Sequence, residues 1–152
     1  MKVNVDAAIN EERKVAGLGT VIRNSQGQVV AAAVKRIKFE GDVSIAEAKV
    51  VKRGMDVARA VSCTCVIIET DCRMVVELAN NKVKNISEIW WIIAEFLNSK
   101  GDFQSITFQH VLRHCNISTH SLTKRALQSS EFVIWRENLP TDVLCMLANP
   151  PA

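Results

Sequence analysis

The feature that most constrains this chain is a change in its hydrophobic period. Over the first 40 residues three runs, about 2–9, 16–24 and 28–38, read as strands. In the second, Leu18, Thr20 and Ile22 face one side while Gly19, Val21 and Arg23 face the other, the two-residue repeat of a pleated strand. Asn10-Glu11-Glu12 opens a turn between the first two, and Asn24-Ser25-Gln26-Gly27 is a four-residue turn signal before the third. The period then changes. From Glu47, steps of three and four residues pass through Val51, Gly54, Ala58 and Val61, which predicts a helix over about 44–61 with a small apolar stripe suited to lying close on a sheet. Ser44-Ile45-Ala46-Glu47 matches the S-x-x-E capping box. The run 65–70 is a short strand, apolar on both faces at Val66-Ile67-Ile68. Helices follow over 73–80 and 87–99, where Gly101-Asp102 breaks the pattern, then a fifth strand over 105–109 and a helix over 117–129 started by Asn116. A meander that feeds a strand–helix–strand crossover predicts an α/β fold with a mixed sheet, in the order βββαβααβα.

Composition adds boundaries. The 152 residues fit one domain. With 48% hydrophobic and 23% charged residues the chain is of ordinary globular type. A net charge of +3 without a long basic run permits a nucleic-acid partner without arguing for one. No stretch approaches the ~20 apolar residues of a membrane span, so no membrane partner is expected. Five cysteines, an odd number, without a signal peptide point to reduced thiols and an intracellular location, nucleus or cytoplasm. Cys63, Cys65 and Cys72 lack the second paired knuckle of a zinc site. The sequons at 85–87 and 116–118 are read as unglycosylated. The first strand starts almost at once, which reads as a domain cut from a longer polypeptide.

Three acids fall at marked places. Asp6 ends the run Val3-Asn4-Val5-Asp6, Glu47 lies in the first turn of its helix, and Asp71 ends the run that begins at Cys65. Each has an ordinary reading beside a functional one: a solvated strand end for Asp6, the third residue of a capping box for Glu47, a helix N-cap for Asp71. Acids at element ends can also converge. Two carboxylates ~5 Å apart repel by roughly 3 kcal/mol at an effective dielectric near 20, so a converged cluster calls for a raised pKa, a basic partner or a cation. Mg²⁺ takes oxygen ligands and keeps several waters, which suits a sparse acid cluster.

Taken together, Val5-Asp6, Gly17-x-Gly19-x-Val21-x-Arg23, Ala46-Glu47-Ala48 and Glu69-Thr70-Asp71 resemble the ribonuclease H family. The closer resemblance is to the plant-type RNase H-like domain, which occurs alone or behind a retroelement reverse transcriptase. The segment from Val111 to Leu122 is similar to its V-x-R-x-x-N-x-x-A-H/D-x-L motif, and Trp135-x4-Pro140 to its C-terminal W…P. The resemblance spans about residues 2–145. It implies an RNase H-like domain over 1–139 with a mixed five-stranded sheet flanked by helices. The sequence of the remaining segment, 140–152, reads as a short helix at 141–148 and a loose Pro150-Pro151 tail. The resemblance also implies that Asp6, Glu47 and Asp71 bind metal with His120 in the fourth position, that two Mg²⁺ or Mn²⁺ ions serve each site, and that the RNA strand of RNA–DNA hybrids is hydrolysed. Asn116 and Arg113 are the candidate substrate contacts, with helix capping the alternative for Asn116. Imidazole is a poorer ligand for Mg²⁺ than for Mn²⁺, so His120 points to a Mn²⁺ preference. Ala7 stands where the family commonly has Gly, His120 where the broader family usually has Asp, and the mobile histidine loop of the cellular enzymes looks shortened away, with His110 and His114 outside a Gly-rich setting. Those departures keep a second reading open, a catalytically weak nucleic-acid-binding or protein-interaction module. Residues 86–98 hold no Lys or Arg where some relatives carry a basic extension, so weak affinity for an isolated hybrid is expected.

Overall fold

The computed structural model describes residues 1–81, 87–128 and 132–148. The sequon Asn85-Ile86-Ser87, the last residue of the helix expected to 129 and the Pro150-Pro151 tail therefore lie wholly or partly outside the described residues. Strands β1 (Lys2–Asn10), β2 (Val15–Arg23) and β3 (Val29–Lys38) form the antiparallel meander. Then come helix α1 (Val43–Ala60), β4 (Cys65–Thr70), α2 (Arg73–Asn81), α3 (Glu88–Asn98), β5 (Ser105–His110), α4 (Ile117–Gln128), β6 (Val133–Trp135) and α5 (Thr141–Leu147). One 3₁₀ turn, Ser99–Asp102, follows α3, and another, Arg113–Asn116, leads into α4.

The sheet order is β5-β4-β1-β2-β3-β6, with β4 parallel to both β1 and β5. The mixed α/β architecture is as expected, but among the described residues the sheet has six strands rather than five. The sixth is Val133–Trp135, which pairs antiparallel with β3 through Ala32↔Trp135 and Val34↔Val133. Three residues are too short to show an alternating pattern, so this edge strand is set by its partner rather than by its own sequence.

Helices cover both faces. Gly54 of α1 lies so close to β1 that a β-carbon there would sit 2.5 Å from Val5 Cγ1. On that face Val3, Val5, Met55, Ala58, Ile68, Ile93 and Phe96 belong to one buried cluster that also takes in α2 and α3. The opposite face carries a smaller cluster, Val21, Ala32, Val34, Leu122 and Ala126, joined by Val143 and Leu147 of α5. Trp90 is buried in the larger cluster while Trp91 is exposed.

One local expectation is corrected. The cap of α1 is Asp42, whose side chain accepts from the Ile45 N–H at 3.2 Å, and Ser44 donates its hydroxyl to Asp42 instead of capping. The helix therefore starts earlier than the S-x-x-E pattern indicates, and Glu47 carries no capping duty. Ala7 needs no glycine-like backbone: it lies within β1, paired with Leu18.

Candidate active site

Strand parity places the first acid. In β1, Val3 and Val5 face α1, so Asn4 and Asp6 face α4. Asp6 pairs with Gly19 of β2, and the missing side chain lets α4 come down onto the strand: a β-carbon on Gly19 would meet Thr123 Cγ2 at 2.9 Å. That contact sets the first turns of α4 beside Asp6, and His120 Nδ1 lies 2.7 Å from Asp6 Oδ2.

The second and third acids arrive where β1 loses its neighbour. The β1–β4 pairing runs Lys2↔Ile67, Val3↔Ile68 and Asn4↔Glu69 and goes no further. Beyond it the edge of β1 is open at Asp6. Asp71, one residue past the end of β4, borders the opening, while Thr70 Oγ1 accepts the Cys72 N–H as the chain turns into α2. Glu47 reaches the same place from the α1 side. The result is a cluster in which one oxygen from each of Asp6, Glu47 and Asp71 lies within 4.8 Å of the others. Asp6 is 3% and Glu47 4% exposed, so Asp6 is not the solvated strand end that its position allowed.

The electrostatics follow from burial and crowding. Burial pushes the Glu47 carboxyl up to about 9, with the charges of Asp6 and Asp71 adding to it. Burial also raises Asp6, opposed by its hydrogen bond to His120 and reinforced by the charge of Asp71. Among the described residues Glu47 Oε2 is buried without a hydrogen-bond partner, which is costly unless something completes its coordination. An all-oxygen set with one orphaned oxygen fits a hard divalent cation such as Mg²⁺ or Mn²⁺. His120 stands outside the set of mutually close ligand atoms and is joined to it through Asp6.

The remaining candidates separate. Arg113 approaches Asp71 Oδ2 with Nε at 3.7 Å on a side chain that is 84% exposed. It lines a cleft of about 670 Å³ beside the acids, with Leu112, His114, Ile117 and His120. Asn116 is buried and spends its amide on the Val5 carbonyl at 3.0 Å; it faces the sheet, not the cleft. Sequence reading passed over two residues, Asn4 and Glu69, both buried polar groups bonded to each other at 3.2 Å. The signal was present: each lies two residues before one of the clustered acids, which for Asn4 and Asp6 means the same face of β1.

Comparison with known proteins shows the family and the fold. A family model described as reverse transcriptase-like matches residues 4–126. The chain belongs to this family. It is an RNase H-like domain. The RNase H1 of the halophilic archaeon Halobacterium salinarum superposes with a TM-score of 0.72 at 18% identity, covering 84% of this chain and 96% of that one. LC11-RNase H1, solved in complex with an RNA/DNA hybrid, superposes at 0.74 with 19% identity over 84% of this chain and 96% of that one. The protease-reverse transcriptase of prototype foamy virus superposes at 0.60 with 21% identity, over 86% of this chain but 21% of the viral one. At such identities these likenesses establish the fold of the RNase H-like domain. The search of curated proteins returned no match. Among the described residues no helix is long and apolar enough to cross a membrane.

Proposed function

We propose that this RNase H-like domain is a divalent-metal-dependent endonuclease that hydrolyses the RNA strand of RNA–DNA hybrids. The observation that carries the reading is the convergence of Asp6, Glu47 and Asp71 from three separate elements to within 4.8 Å, with a buried oxygen of Glu47 left unpartnered. The substrate class is supported by the family and by the hybrid bound to the LC11 relative.

The three carboxylates would hold the ions, Mg²⁺ or Mn²⁺. When bound, a pair of divalent cations supplies the charge that activates a water and stabilises the departing 3′ oxygen. The protein contributes placement. Glu47 must give up its proton for the site to load, because a carboxylic acid is a poor ligand. Asp6 holds the His120 ring in one orientation at the cleft. Arg113 lies beside Asp71 and is exposed enough to swing to a phosphate of the substrate. No protein nucleophile takes part, so the products carry a 5′-phosphate and a 3′-hydroxyl. The fusion of a similar domain to a viral reverse transcriptase supports a place in a longer polypeptide.

One observation favours the second reading, a module of low turnover: His120 stands outside the three mutually close acids and is joined to them through Asp6. The helix α3 (EIWWIIAEFLN) holds no Lys or Arg with which to grip a phosphate backbone, which points to weak affinity for an isolated hybrid. A single assay separates the two. An end-labelled hybrid is incubated with the protein under Mg²⁺ and under Mn²⁺, beside Asp71→Asn. Cleavage of the RNA strand that disappears in Asp71→Asn supports the nuclease. Binding without cleavage under either ion selects the module, and absence of both sinks the hybrid as ligand.

A further inference from the structure

Three buried polar side chains outside the acid cluster form a continuous chain of hydrogen bonds. Asn4 Nδ2 donates to Glu69 Oε1 at 3.2 Å and to Asn116 Oδ1 at 3.5 Å, and Asn116 Nδ2 donates to the Val5 carbonyl at 3.0 Å. Asn4 and Glu69 are 8% exposed and Asn116 2%. Polar groups buried this deeply are a net cost unless paired, and apolar residues would fill the same space. Lys2 lies 3.9 Å from Glu69 and is mostly exposed, which compensates the buried acid only loosely.

The position of the chain in the sheet is informative. Each member precedes an active-site residue: Asn4 by two residues before Asp6, Glu69 by two before Asp71, Asn116 by four before His120. The three bonds thus tie together the elements that deliver three of the four. They also lie at the point where β1 and β4 part. Ile67 N–H donates to the Met1 carbonyl at 2.9 Å, and rungs of a parallel ladder recur every two residues, so the next acceptors on β1 in that line are Val3 and Val5. Pairing with β4 ends at Asn4↔Glu69, and the Val5 carbonyl takes the Asn116 side chain instead. The amide of Asn116 stands in for the missing rung, and Asp6 and Asp71 flank the gap that follows.

We infer that Asn4, Glu69 and Asn116 form a clamp that sets the separation of β1 and β4 at the active site, and that Asn116 is a positioning residue for the metal-binding acids rather than a contact to substrate. The inference rests on the nuclease reading for its catalytic consequence but has a readout independent of it, because the spacing of the acids governs cation affinity whether or not a hybrid is cut. Partners that orient metal ligands in this way change affinity or activity by about 10–100-fold when removed.

The test compares the protein with Asn116→Ala and Asn4→Ala by Mn²⁺ titration, thermal melting and steady-state cleavage of a hybrid. The clamp predicts that folded Asn116→Ala binds Mn²⁺ about 10–100-fold more weakly and loses kcat by a similar factor while KM for the hybrid stays within about twofold. Asn4→Ala, which removes only the bonds to Glu69 and Asn116, should show a smaller loss in the same direction. Unchanged Mn²⁺ affinity with a lowered melting temperature overturns the inference, since that is a structural role alone. A raised KM with kcat retained overturns it in favour of substrate contact. Unfolding of both variants also overturns it. If the unmutated protein binds Mn²⁺ but cuts no hybrid, the nuclease reading fails while the titrations still decide the clamp; if it binds no Mn²⁺, both fall together.

Discussion

The two faces of β1 contrast within one strand. Toward α1 it presents Val3, Val5 and Ala7 to a dry cluster, and the helix lies so close that Gly54 has no room for a side chain. Toward α4 it presents Asn4 and Asp6, to which β4 adds Glu69 and, just past its end, Asp71. The first face is held by shape, the second by hydrogen bonds and charge. They meet only at the open edge beyond the last β1–β4 pair, where α1 delivers Glu47 from one side and α4 delivers His120 from the other. The apolar face thus fixes where the helix backbones stand. The polar face decides what chemistry that placement can support.

The sharpest way to break the contrast is to change charge while keeping shape. Asp71→Asn removes one ligand charge at constant volume. It should lower hybrid cleavage by on the order of 10³-fold or more, as loss of several kcal/mol of charge stabilisation implies, with the melting temperature held or raised. Cleavage assays and calorimetry on the same preparation check both halves, and residual activity near that of the unmutated protein would detach Asp71 from the chemistry.

The reverse change keeps charge and alters shape. Gly54→Val places a β-carbon 2.5 Å from Val5 Cγ1, so α1 must back away and carry Glu47 with it. Overpacking of this kind costs about 1–3 kcal/mol, and both the melting temperature and the Mn²⁺ affinity should fall. A drop in stability alone would show that the position of Glu47 does not depend on this contact.

Glu47→Gln tests the interplay of the two faces through pH. The folded protein holds the Glu47 proton up to about 9, whereas the unfolded chain releases it near the ordinary value of 4.5. Between those limits the folded state binds more protons, so this group's contribution to stability is lost as pH rises. Glu47→Gln should therefore stabilise the metal-free protein at pH 8 by ~1–3 kcal/mol and have little effect near pH 4.5. The Mn²⁺ affinity of the unmutated protein should rise with pH toward 9, with a proton released on binding. Melting curves at both pH values decide the first point, and equal stabilisation at each would contradict it.

The smallest expected effect is at the fourth position. His120→Asp replaces an imidazole bonded to Asp6 with an oxygen donor, and Mg²⁺ favours oxygen. The ratio of Mn²⁺-supported to Mg²⁺-supported cleavage should fall severalfold in the variant. An unaltered ratio would remove His120 from metal selection.

Much of this arrangement was legible along the chain. The meander and the crossover follow from period and turn residues, while the convergence of Asp6, Glu47 and Asp71 was implied by the resemblance to the ribonuclease H family. The stripe Glu47, Val51, Gly54, Ala58 announced a helix that lies close on a sheet, and Gly54 does so. Other points were hidden for identifiable reasons. The capping box at Ser44 is a local motif, and Asp42 two residues earlier won because its carboxylate accepts the Ile45 N–H. The strand Val133–Trp135 exists through its pairing with β3. Asn116 looked like a helix cap first and a nucleotide contact second. Its actual partner, the Val5 carbonyl, is 111 residues away, and no local pattern encodes a contact at that distance.

The sequence by itself determined which side chains could share a face and which elements could carry acids, because strand parity and helical period are properties of the backbone that any stretch of chain obeys. Only the tertiary structure decided that β1 and β4 part after Asn4 and Glu69, that Asn116 fills the rung they leave, and that Glu47 is buried with an unpartnered oxygen. Those outcomes depend on how close α1 and α4 can approach the sheet. That distance is set by side chains far apart in the chain that must occupy the same space.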